Sequence, residues 1–165
     1  MAFDAFLKID GIPGESTDDK HKDWIEILSY SWGVSQPGSG AASTSGGASS
    51  QRADFQDFSI VKQLDKSSPK LALACAKGDH IKEVKVELCR AGGDKVKYME
   101  YKMSNVMISS VRRGGSAQGG ENVPLEEIGF DYGKIEWTYT QQKRSDGTGG
   151  GSVTAHWDLQ ANKGG

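Results

Sequence analysis

Leu64 to Gly78 carries the only strong helix signal in a chain that otherwise alternates like a β protein. Ser67 or Ser68 can cap the first free N–H groups, and Pro69 suits the opening helical position. Lys77 favours the negative pole of the helix, and Gly78 supplies the left-handed exit. The helix these signals predict, about 69–77, is too short to hold itself together in water. Leu71 to Ala76 is apolar nearly all round, so the helix is expected to be largely buried, clamped to a sheet. Strand-like sequence on both sides of it predicts that both halves of the chain pack on it.

Around that helix the apolar residues recur with period two, the strand signature. Phe3 to Ile9 alternates, with Phe3, Ala5, Leu7 and Ile9 on one side. A longer strand is predicted over Asp23–Gln36, with Trp24, Leu28, Tyr30, Trp32 and Val34 on the core face. Ile25, Ile27, Ser29, Ser31 and Gly33 take its other face. A third strand near Ala53–Gln63 carries Phe58 and Ile60. Over Lys82–Arg90, Val84, Val86 and Leu88 point inward while Glu83, Lys85 and Glu87 point to water. Ala91-Gly92-Gly93-Asp94 reads as a tight hairpin turn. In the return strand, Lys95–Val111, the apolar parity switches near Ser104-Asn105. In Glu127–Gln142 it switches at Gly133, and both switches predict bulges. A last strand places Val153, Ala155, Trp157 and Leu159 inward, and 162–165 is a short polar tail. About seven strands and one helix describe a β-sandwich or small barrel, with residues 1–165 as a single domain.

The 165 residues carry a formal charge of −2, without the basic excess that nucleic acid selects. No apolar run reaches membrane-spanning length. Met1 to Gly14 carries Asp4, Lys8 and Asp10 and lacks the apolar centre of a secretory signal, so synthesis in the cytoplasm is expected. Cys75 and Cys89 form no redox or metal motif and read as reduced thiols; a disulfide would need their β-carbons close. His21, His80 and His156 lack the spacing of a zinc site. Asp18 and Asp19 near His21 suggest a triad fragment, but no nucleophile elbow accompanies them, and a polar loop accounts for them. No catalytic, cofactor-binding or metal site is expected. Residues 37–50, nearly all Gly, Ser, Ala and Thr, cannot build a core. They are either a disordered insertion or an arm ordered by a partner.

Several phrases together resemble the Hcp family, the tube protein of bacterial type VI secretion systems. They are Phe6-Leu7-Lys8-Ile9-Asp10-Gly11-Ile12-Pro13-Gly14-Glu15-Ser16 with His21, and Ser31-Trp32-Gly33-Val34-Ser35-Gln36. Asp65-Lys66-Ser67-Ser68-Pro69, Cys75-Ala76-Lys77-Gly78-Asp79-His80, Ala91-Gly92-Gly93 and Tyr139-Thr140-Gln141-Gln142-Lys143 follow in order. The resemblance implies a two-sheet β-barrel with one lateral helix, assembled as a homo-hexameric ring. Rings would stack into a tube under a spike protein and inside a contractile sheath, and the tube would be expelled from the bacterial cytoplasm. Secreted effector proteins would ride in the lumen, and no enzymatic activity is implied. It favours the arm reading of 37–50. Ser29 and Ser31 are then expected to face the lumen. Gly92 and Gly93 would lie at the ring rim, with Ser39, Ser43 and Ser45 in contacts between rings. A ligand- or carbohydrate-binding β-sandwich is the alternative, and it would need solvent-exposed aromatic side chains.

Overall fold

A computed structural model describes residues 3–37, 52–92, 96–118, 123–142 and 149–165. In chain order the strands are β1 (Phe3–Ile9), β2 (Ile25–Ile27), β3 (Ser29–Ser31), β4 (Val34–Ser35), β5 (Asp54–Phe55) and β6 (Phe58–Gln63). The helix α1 (Ser68–Lys77) follows, then β7 (Ile81–Arg90), β8 (Lys97–Gly114), β9 (Leu125–Gln142), β10 (Gly149–Asp158) and β11 (Lys163–Gly164). The main sheet runs β11–β10–β9–β8–β7–β1–β2, and a branch through β6 to β3 leaves from β9; β4 and β5 pair separately. Every pairing is antiparallel.

β9 joins the two layers. Its first part, Leu125–Phe130, pairs with β6, and its later part, Lys134–Gln142, pairs with β10, while β8 flanks both. Leu7, Ile25, Phe58, Ile60, Val84, Val86, Met103, Val106, Ile128, Phe130 and Ile135 are fully buried between the layers. The sheet curls, but among the described residues no continuous ladder closes it into the expected barrel. Among the described residues β2 pairs only with β1, and β3 only with β6. The chain over 25–31 spans the seam itself, and the Leu28 N–H donates to the Val61 carbonyl at 2.7 Å.

That seam overturns the single strand predicted for 23–36. Ile25 and Ile27 are buried, Leu28 is 56% exposed, and only beyond it do Tyr30 and Trp32 turn inward. The chain changes partner strand at Leu28, so its inward parity changes too. The parity switches foreseen near Asn105 and at Gly133 are present, but neither is a one-sided bulge. Ser104 faces Lys134 and Val106 faces Tyr132, so the register runs through unbroken. The irregularity sits on β8, where Asn105 has φ of 53°, and Gly133 lies close against it, since a Cβ there would be 3.1 Å from the Asn105 side chain. The register slips further along, between Ile108 and Ser110.

α1 lies on the sheet by one face, with contacts to β8. Ser68, Leu71 and Ala74 are buried, but Leu73 is 57% exposed, so the expected all-round burial is not met. Gly78 ends the helix as predicted. It has φ of 66°, its N–H donates to the Cys75 carbonyl at 3.2 Å, and the Asp79 N–H reaches Ala74 at 3.0 Å. The serine cap is not formed. Ser67 stands at the N-cap, yet its hydroxyl donates to the Asp65 carboxylate, and the Ser68 hydroxyl donates to Glu126 at 2.7 Å. Ser67 has helical backbone angles, φ −75° and ψ −20°, not the extended ones of a capping residue, and the Ser68 oxygen accepts the Asp65 N–H at 3.0 Å.

Candidate functional site

Two buried polar clusters and one uncovered apolar face stand out. In the first cluster Lys62 of β6, Glu126 of β9 and Arg113 of β8 lie in one cross-strand row. Lys62 and Glu126 are almost wholly buried and form a direct ion pair. The Arg113 Nε donates to the other Glu126 oxygen at 2.6 Å, and its guanidinium also reaches the Ser68 carbonyl. Lys62 has a second carboxylate, Asp65, at 3.0 Å. Burial alone would push the Glu126 carboxyl up. Donors on Lys62, Ser68 and Arg113 outweigh it and hold the carboxyl below its ordinary value. The cluster ties β6, β8 and β9 to the start of α1.

The second cluster centres on His21, which sequence patterning assigned to a polar loop but which is 2% exposed. The segment before it is folded tightly. The Gly14 N–H donates to Asp23 at 2.8 Å, the Ser16 N–H to Trp24 at 2.9 Å and the Asp23 N–H to Ser16 at 2.9 Å. The structure does bring Asp18 to His21, and it adds Glu87, a residue expected to point to water. Cys89 packs nearby, its thiol pushed up to about 11 by burial and then by Glu87 and Asp18. It is therefore a neutral thiol, not a nucleophile. Gly14 has no room for a side chain, because a Cβ there would lie 2.5 Å from the Trp24 carbonyl oxygen and 2.7 Å from the Ile25 Cα. Gly14→Ala is expected to cost about 1–3 kcal/mol in urea unfolding, since backbone rather than a flexible tip must move.

The apolar face is the site with an outward task. Two cross-strand rows start in the core and run out across the sheet. One is Ala5–Leu88–Met99–Tyr139–Val153, and the next is Leu7–Val86–Tyr101–Trp137–Ala155. Exposure climbs along the first from 5% at Ala5 and 4% at Leu88 to 50% at Tyr139 and 71% at Val153. The second layer stops short, so β9 and β10 overhang it. The prediction that Val153 and Ala155 point inward is right for the side of the strand and wrong for burial: both are exposed. Trp137 Nε1 lies buried in the overhang with no acceptor among the described residues. From His156 back towards Gly149, no strand flanks the far edge of β10 among those residues.

Comparison with known proteins decides the setting. The family model for the type VI secretion system effector Hcp matches residues 6–139. Protein hcp1 of Pseudomonas aeruginosa is 37% identical over 163 residues, which cover 98% of each chain. The chain belongs to the Hcp family. A solved type six secretion system protein shares its fold with a TM-score of 0.92 and 36% identity, over 99% of this chain and 100% of that one. Hcp1 from Salmonella typhimurium follows with a TM-score of 0.82 and 32% identity, over 99% of both chains. As an Hcp protein the chain is a tube subunit of a type VI secretion system. These relatives lend no support to the carbohydrate-binding alternative.

Against the Hcp expectations, Ser29 and Ser31 are exposed, opposite Tyr30, which stacks on Phe58 at 5.8 Å. Gly92 is exposed in the turn after β7 with φ of 82°. Gly93, Ser39, Ser43 and Ser45 lie outside the described residues. Among the described residues no helix is long and apolar enough to cross a membrane, and no group of three His, Cys, Asp or Glu could hold a metal. Sequence reasoning missed the Lys62 cluster, and of the His21 cluster it noted Asp18 but not Glu87. Lys62 at the parity of Phe58 and Ile60, and Glu126 at the parity of Ile128 and Phe130, were the signals available.

Proposed function

We propose that six copies of this Hcp chain close into a ring through the overhanging β9–β10 face, and that the rings stack into the expelled tube. The observation that carries this is the apolar row that leaves the core at Leu88 and ends uncovered at Tyr139 and Val153. Apolar rows of this kind are completed by another surface. The other end of the strand order, at the β2–β3 seam, also exposes a large apolar side chain, Leu28. A face at one end meeting a different face at the other is a heterologous contact, and such contacts close into rings when the rotation allows.

In this reading Ser29 and Ser31 face the lumen, where secreted effector proteins are held. Gly92 and Gly93 lie at the rim, with Ser39, Ser43 and Ser45 in contacts between rings. The spike protein and contractile sheath are the outer partners. The subunit is made in the bacterial cytoplasm, is released when the apparatus fires, and works as a structural part, not an enzyme. Native mass measurement and electron microscopy of the purified chain test the assembly. Six-fold rings of uniform size are expected, and a monomer at every concentration examined overturns the ring.

A further inference from the structure

The tube reading leaves one buried titratable group without a task. His21 Nδ1 lies 2.6 Å from the Asp18 carboxylate, and Nε2 lies 2.9 Å from Glu87. An ionised carboxylate only accepts hydrogen bonds, so these two contacts together require a proton on each ring nitrogen. Phe6 lies parallel to the ring with centroids 4.0 Å apart, and Trp24 meets it edge-on at 4.7 Å. An aromatic face stacked on an imidazolium adds a cation–π attraction that a neutral ring lacks.

The charged and titratable groups around the ring come from several elements. Its own segment supplies Asp18, and β1 supplies Lys8, 5.8 Å from the Trp24 ring, and Asp4, which acts on the Cys89 thiol. From β7 come Glu87 and the neutral Cys89 thiol, 3.9 Å from Nε2. Lys97 of β8 sits 3.8 Å from the second Glu87 oxygen and 3.8 Å from Glu100. Lys97 approaches Glu87 from the far side, so the two carboxylates nearest the ring remain its direct partners.

We propose that His21 is a proton-operated latch holding residues 13–24 against β7. With both protons in place it bridges the two carboxylates. When one proton leaves as pH rises, a ring lone pair faces a carboxylate oxygen, and that bridge turns repulsive. The segment then loosens from β7 while the sheet stays intact. The start of α1 is coupled to it, because the Glu15 carboxylate accepts the Lys66 N–H at 3.0 Å. Every group involved belongs to one chain, so the latch does not depend on ring closure.

Amide hydrogen exchange on the full chain tests it, as protection factors at about pH 5.5 and about pH 8.5. The amides of Ser16, His21, Asp23 and Trp24 should lose protection by about tenfold or more at the higher pH, the scale of one charge-assisted hydrogen bond. Those of β7, β8 and β9 should not. In His21→Gln the segment should show the lower protection at both values. Equal protection at the two values in the native chain, or the same loss persisting in the variant, overturns the latch. If the variant does not fold, ring-nitrogen NMR of the native chain near pH 5.5 decides. Two ring N–H signals for His21 support the proposal, and a single one overturns it.

Discussion

Glu126→Ala is expected to lower the unfolding free energy by about 3–5 kcal/mol, because it leaves the Lys62 ammonium buried without its main partner. The Arg113 guanidinium and the Ser68 hydroxyl lose the same acceptor, so the start of α1 loosens with the strands. Urea denaturation reads the loss, and Glu126→Gln separates charge from shape. If the amide variant is as stable as the native chain, the ionic account of the cluster is wrong. The same residue sets an acid dependence. Its carboxyl is held below the ordinary value in the fold, so its contribution is complete above the unfolded-state value. That contribution fades as pH falls through the folded value. A native chain that loses stability in acid, beside a Glu126→Gln variant that loses less, is the expected pair of curves.

Placing charge on the overhang should have the largest effect on assembly. Tyr139→Asp with Val153→Asp puts two carboxylates on adjacent strands at the end of the apolar row, where the side chains are 50% and 71% exposed. Exposed substitutions usually cost little stability, so the melting temperature should hardly move. Desolvating unpaired charge in a contact is costly, and rings should give way to single subunits in native mass spectra. Intact rings carrying both aspartates would show that the contact lies elsewhere. A variant that fails to melt cooperatively would instead mean that the overhang belongs to the core.

The strand alternation was legible wherever one face is buried within the chain. Val84, Val86 and Leu88 follow the period-two pattern, and Gly78 closes the helix where its neighbours implied. Leu28 misled because an apolar residue at the parity of Tyr30 looks like core, and nothing local says that the partner strand changes there. Val153 and Ala155 misled for a different reason. Alternation reports which side of a sheet a residue takes, while burial depends on how far the second layer reaches. The His21 cluster was half visible, since Asp18 is three residues away, but Glu87 is 66 residues distant and looked like one more outward charge on a polar face. The lysine at core parity was the most readable clue left unused, because a buried cation demands an anion at matching parity on another strand.

Eighteen residues of β9 pair with β6, β8 and β10, and that strand ends at Gln142 in a chain of 165. Until it has left the ribosome, β6 and β8 both lack their common neighbour, so neither layer can be finished before Gln142 has emerged. Completion of both layers therefore waits for β9, and it needs pairings such as β1 with β7 and β6 with β9 that join segments distant in the sequence.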